Sequence, residues 1–214
     1  MKTRDRILET ALLLFNEEGE ADQSAVDIAN VLDMSPGNLY YHFKGKDAII
    51  RALFDDFECE MTVILNGSRG RITSIEDNWV YTYILLEEIY DFRFFYRNLG
   101  VLLERYPDLA RRFRSLLSTQ RQTIAEILSN LQLRGLIAAD PLLIGMLIDQ
   151  ILKIMTFWLS FDQIEGGDMP AAHLIHKTVY QIMVLVVPYM GEQGLHTLRT
   201  MTDHYERSVG RLGF

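Results

Sequence analysis

The chain has 214 residues, 49% of them apolar, and a formal net charge of −8. That size allows one large domain or two small ones around a sizeable core, and the acidic balance excludes a protein coated in basic charge for nucleic acid. A single cysteine, Cys59, excludes an internal disulfide and fits a reducing cytosol.

In chain order, the first helix is expected over about 3–18, capped by Thr3. Ile7, Leu8, Ala11, Leu12 and Phe15 recur at three and four and make one apolar face, and Gly19 ends it. The opening stretch does not read as a signal peptide, because acids and the helical period interrupt it. Ser24 opens a short second helix with Asp27 in its third position, a capping-box pattern, and Val26, Ile28, Ala29 and Leu32 face inward. Asp33-Met34 makes a turn. Ser35 is a good N-cap and Pro36 suits the first helical position, which needs no donor. The helix that follows is short, with Leu39 and Phe43 as its inward pair. Asn38, Tyr40, Tyr41 and His42 present hydrogen-bonding tips, and Gly37 permits close backbone approach. Such a helix makes a poor core element and a good probe for a nucleic-acid groove. The two helices form a helix-turn-helix over 24–43.

The fourth helix starts near Lys46 and carries Ile49, Ile50, Leu53, Phe54, Phe57, Met61 and Ile64, long enough to pass into a second domain. The run NGSRGRITS, 66–74, reads as a linker. Beyond it no segment alternates at period two. Helices are expected over about 75–91, 92–105, 107–134, 141–161, 170–189 and 192–209, with Asp140-Pro141 opening the fourth of these and 163–168 as a loop. The helices after Pro141 and Pro170 are apolar over more than one face, so each must be buried on several sides. Burial between two copies of the chain and burial at the centre of a monomeric bundle both satisfy that demand. Asp149, Gln150 and Lys153 interrupt the 141–161 stretch, which fits a soluble bundle better than a membrane span.

Charge is unevenly placed. The helix-turn-helix half is acidic overall, yet Lys2, Arg4 and Arg6 open the chain and Lys44 and Lys46 follow the probe helix. A small basic face on an acidic body is expected, with few phosphate contacts per subunit. Other constellations are weak. His173 and His176 lie three apart and read as a solvated pair, and no third metal ligand can be placed. Glu87, Glu88 and Asp91 read as a solvated acidic face. There is no Gly-rich phosphate loop and no nucleophile elbow, so neither a catalytic site nor a cofactor is expected.

Residues 3–50 resemble the DNA-binding domain of the TetR family of transcriptional regulators. The resemblance rests on Ala11, Phe15 and Gly19, on Ser24 and Ile28-Ala29, and on Ser35, Gly37, Leu39, Tyr40, His42, Phe43 and Lys46 in that order. It implies an all-α protein, with a three-helix helix-turn-helix domain over about 1–48 and a larger helical domain over about 49–214 for effector binding and dimerisation. It implies no enzymatic activity, a cytoplasmic location and a homodimer paired through the last long helices. Two probe helices would then reach successive major grooves of a palindromic duplex. Asn38 is placed to read a base edge, adenine being the favoured partner. Tyr41 is placed to pack on a thymine methyl or donate to a phosphate. Ser24, Tyr40, His42 and Lys46 are assigned to phosphates, with Ser35, Gly37 and Lys44 completing the surface. A small, largely apolar effector between the second-domain helices is the family's usual partner. Trp79, Tyr83, Phe95, Phe113, Leu117, Met155 and Trp158 are the candidate lining, and Asp149 and Lys153 the candidate polar anchors. The alternative is a regulator controlled by a protein partner, or one that needs a corepressor.

Overall fold

A computed structural model describes residues 2–67, 74–167 and 169–209. Most of the expected 66–74 linker, and Asp168 of the expected loop, lie outside the described residues. The architecture is all-α. Among the described residues there is no strand, only an isolated bridge between Ile137 and Met190.

Helix α1 spans Thr3–Glu18. Thr3 is its first helical residue and not its cap. The Lys2 backbone N–H donates to the Asp5 carboxylate at 3.3 Å instead. Helix α2, Ala25–Val31, has the expected capping box. The Ser24 N–H and hydroxyl both donate to Asp27 Oδ2, and Ser24 Oγ accepts from the Asp27 N–H. The tight turn puts Asp33 in the left-handed region, φ 52°, which a short polar side chain tolerates. Helix α3 spans Pro36–His42, with Pro36 in its first turn and Ser35 Oγ accepting from the Asn38 N–H. Leu39 and Phe43 anchor it to the core, and the helix α4, Lys46–Gly67, leads away from it.

The second half contains α5 (Ile75–Asp91), α6 (Arg93–Arg97), α7 (Leu99–Arg105), α8 (Pro107–Leu133), α9 (Pro141–Glu165), α10 (Ala171–Val186) and α11 (Glu192–Val209). Three expectations need correcting. The helix expected over 92–105 is broken at Asn98, which leaves the helical region at φ −119° and ψ 25° two residues before Gly100, a residue that weakens a helix. Helix α9 runs past Phe161 to Glu165 and stops at Gly166 and Gly167, both at positive φ. Pro188 lacks a donor, so the 170–189 helix closes as a 3-10 turn over Val187–Tyr189.

One hydrophobic core runs through both halves, from Ile7 to Leu198. Helix α4 belongs to both: its first turns pack on α1 and its later ones on α5 and α8. Polar bonds lock the same seam. Asn16, at the end of α1, donates to the Asp91 carbonyl (2.7 Å) and accepts from the Phe94 N–H (3.0 Å), while Arg97 donates to the Asn16 carbonyl. The Tyr106 hydroxyl donates to Asp47 at 2.7 Å, Arg51 pairs with Asp108, and Arg112 bridges Asp55 and Glu58. These short, directional contacts tie the second half to α1 and α4.

Candidate nucleic-acid interface and second-domain cavity

Helix α3 is held from behind and bare in front. Leu39 and Phe43 are buried, while Ser35, Gly37, Asn38, Tyr40, Tyr41 and Lys44 are exposed. Tyr41 is 80% exposed, the most open aromatic on this surface. Its ring meets His42 edge-on at 5.2 Å, which fixes its direction. Arg4 stacks over the Phe43 ring at 5.1 Å, so the basic N-terminus of α1 flanks the end of α3. This is the small basic rim that the charge distribution suggested.

Two residues of the expected surface are engaged internally. Ser24 spends its hydroxyl on Asp27. Lys46 turns inward: its Nζ donates to the Glu20 carbonyl at 2.8 Å and pairs with the Glu20 carboxylate at 3.1 Å. The same Glu20 oxygen also takes Arg105 at 3.0 Å. The spacing that put Lys46 at a helix start gave no warning of this partner, because the contact spans the chain from the α1–α2 turn to α4 and α7. What Lys46 can still offer a phosphate is its place in the first turn of α4.

The expected effector residues scatter over four environments. Phe95 stacks on Phe94 at 4.2 Å and meets Phe54 edge-on, so it fills the core. Trp79 and Tyr83 flank His176, with ring centroids at 6.3 and 4.4 Å, and Trp158 lies beside Tyr90. Phe113, Leu117, Asp149 and Lys153 border an open groove of about 710 Å³ between α7, α8 and α9, where Asp149 is paired with Arg121. Only Met155 of the set lines the enclosed cavity of this half. That cavity lies between α4, α5, α8, α9 and α10, and its polar wall comprises Asn78, Tyr81, Thr82, Gln120 and Thr123. Sequence reasoning missed these. The signal was present: Gln120 and Thr123 sit on the buried stripe of α8 between Leu116 and Ile127, where the period calls for apolar side chains.

Two groups read as solvated are half-buried. His176 is stacked by Tyr83 and Trp79, and desolvation holds its imidazole down at about 4. Desolvation first, and then the charges of Asp91, Glu60 and Glu87, push the Glu88 carboxyl up to about 7. No group of three His, Cys, Asp or Glu among the described residues is placed to hold a metal ion. The Glu88 shift has a definite sign. Between about 4.5 and 7 the folded state holds a proton that the unfolded chain has lost, so stability is full below the lower value and is lost as pH rises through the upper. His176 runs the other way: its contribution is present above about 6.5 and lost as pH falls towards about 4. Glu88→Gln is therefore expected to raise Tm near pH 8 and to leave it unchanged near pH 4.5. Thermal melts of the variant at both pH values check this.

A three-helix unit with a bared, aromatic second helix of a helix-turn-helix, joined to a larger helical body, defines a DNA-binding transcriptional regulator. Comparison with known proteins makes this specific. Residues 7–53 match the description "Bacterial regulatory proteins, tetR family", and residues 56–198 match the TetR "Bacterial transcriptional repressor" domain. The chain belongs to the TetR family. A TetR-family transcriptional regulator from Marinobacter aquaeolei VT8 superimposes with a TM-score of 0.86 at 30% identity, covering 96% of this chain and 99% of that one. AmtR of Mycobacterium smegmatis shares the fold, with a TM-score of 0.63 at 17% identity over 98% of this chain and 95% of that one. Among curated relatives, the probable regulator YttP of Bacillus subtilis is 35% identical over 57 residues, 27% of this chain and 28% of that one. IcaR of Staphylococcus aureus, the negative regulator of the biofilm operon icaADBC, is 28% identical over 109 residues, 49% of this chain and 55% of that one. The match to these curated relatives thus spans from about a quarter to about half of their length.

Proposed function

We propose that this protein is a cytoplasmic, homodimeric repressor that binds a palindromic operator through α3 and leaves it when a small molecule enters the second-domain cavity. The bare front of α3, with Tyr41, Asn38 and Gly37 presented together over a packed back, carries the DNA-binding reading. Asn38 at the N-terminal end of α3 reads a base edge, Tyr41 packs on or donates beside it, and Tyr40, His42 and Lys44 meet phosphates. Selection of bound sequences from a random duplex pool tests the reading: a palindrome is expected, with half-site centres about 34–36 Å apart or a multiple of that. Enrichment of a non-repeated site would contradict it.

Dimerisation is supported by α9. Leu142, Met146, Phe157, Phe161 and Ile164 are large, apolar and exposed, and their spacing of three, four and eleven places them on one stripe, with Val184 exposed on α10. By length and composition α9 could cross a membrane. Asp149 and Lys153 fall within the same stripe, and the other face packs on α6, α8 and α10. A second copy of this chain covers such a stripe without burying a charge in lipid. Phe157→Glu is expected to sediment as a monomer and to bind the selected palindrome about 100-fold more weakly or worse, because the second half-site is no longer tethered. Analytical ultracentrifugation and a binding titration of the same preparation decide it.

A further inference from the structure

The cavity between α4, α5, α8, α9 and α10 has an uncommon wall. Its lining is mostly leucine, isoleucine and valine, and none of the described lining residues is charged. Against that background stand two carboxamides, of Asn78 and Gln120, and three hydroxyls, of Tyr81, Thr82 and Thr123. Gln120 and Thr123 are each 3% exposed, and Thr82 is 7%. The Gln120 Nε2 group lies 3.9 Å from Met61 Sδ, and the Asn78 Nδ2 group lies 3.6 Å from Met183 Sδ. A thioether is a weak acceptor, so neither amide has its donors well used, although Gln120 also reaches the Tyr96 hydroxyl. The two other buried threonines differ. Thr156 and Thr178 donate to the carbonyl four residues back in their own helices, at 2.7 and 2.9 Å. Among the described residues, the hydroxyls of Thr82 and Thr123 make no such bond.

Burying an under-used amide or hydroxyl costs about 1–3 kcal/mol each, and a core built only for stability would replace these side chains with leucine or valine. Their convergence on one cavity is what a binding site requires: apolar walls with a few placed polar groups. The wall also says what cannot bind. An anion there would find no cation. The open space is about 30 Å³, room for one or two waters. Any larger occupant must part the walls, one of which is Leu65 of α4, the helix shared with the DNA-binding half.

We propose that this cavity takes a neutral, mainly apolar molecule bearing a carbonyl or hydroxyl oxygen, which accepts from Gln120 and from one further donor among Asn78, Thr82 and Thr123, and that it rejects carboxylates. The inference rests on the ligand-responsive reading and assigns that reading its chemical class and its residues. The test uses three eight-carbon probes, 2-octanone, octanoate and octylammonium, added to the full-length protein. Thermal shift and calorimetry report binding, and release of the selected operator is followed in parallel. The ketone is expected to raise Tm and the two ions to leave it unchanged. Gln120→Leu is expected to weaken the ketone about tenfold or more while holding or raising the Tm of the free protein. Thr123→Val is expected to do the same in part, and serves if the first variant misfolds. Octanoate or octylammonium binding as well as the ketone, no ketone binding, or ketone binding indifferent to both variants would overturn the proposal. Operator release separates the two levels. Release by octanoate would overturn the class and keep the ligand-responsive regulator. Ketone binding that leaves operator affinity unchanged would keep the class and overturn the regulator.

Discussion

Tyr41→Ala is expected to fold as the parent does and to lose its operator. The side chain is 80% exposed, with its ring edge-on to His42, so its removal should change stability by no more than about 0.5 kcal/mol. In the proposed dimer its contact with DNA would be made twice, once in each subunit. At about 1–2 kcal/mol per contact the pair is worth about 2–4 kcal/mol, a loss of about 30- to 1,000-fold in affinity. Binding to unrelated duplex, which rests on the basic rim of Lys2, Arg4 and Lys44, should change little. Tyr41→Phe separates the two ways the ring can act. If the ring packs on a thymine methyl, phenylalanine keeps most of the affinity; if the hydroxyl donates to a phosphate, phenylalanine behaves as alanine. Thermal melts together with titrations on the selected site and on a scrambled duplex check each element. Equal loss on both duplexes would place Tyr41 in the phosphate rim and not at the bases.

Glu20→Gln is expected to be the most damaging polar substitution in the protein. Glu20 lies in the turn between α1 and α2, its side chain 2% exposed, and one carboxylate oxygen takes both Lys46 and Arg105. It is the only point at which the α2 side of the DNA-binding half, the start of α4 and the end of α7 share a polar contact among the described residues. Removing one member of a buried charged group costs about 3–5 kcal/mol when its partners are left dry. Here Arg105 opens to water, with its side chain 43% exposed, so about 2–3 kcal/mol is expected. For a chain of this size that lowers Tm by about 5–10 °C. Arg105→Gln should cost far less, about 0.5–1 kcal/mol, because its charge is largely solvated. Melts of the two variants side by side check the asymmetry, and equal effects would show that the buried carboxylate is not the centre of the group.

The N-terminal half was legible in the sequence because its signals are local. Ser24 with Asp27, Ser35 with Pro36, and Leu39 with Phe43 each act within four residues, and the helix boundaries followed from them. The engagement of Lys46 was not legible, since its partner lies twenty-six residues back and is chosen by packing. Distance in sequence also hid the depth of His176 and Glu88: a titratable residue on a helix looks solvated until the neighbouring helices are placed. The break at Asn98 had one local sign, Gly100 two residues on, which weakens a helix without fixing where it breaks. Aromatic richness was a poor guide to the cavity, because large rings such as Phe95 are the best filler for a core. The better guide was the reverse signal, neutral polar residues where the helical period called for apolar ones, at Gln120 and Thr123.

Footprinting of the wild-type protein on its selected site tests the central claim most directly. Two protected blocks related by a two-fold axis are expected, with centres about 34–36 Å or a multiple apart, both absent with Tyr41→Ala and both weakened together with Phe157→Glu. One unpaired block, or protection that survives both substitutions, would contradict a dimer that reads DNA through α3.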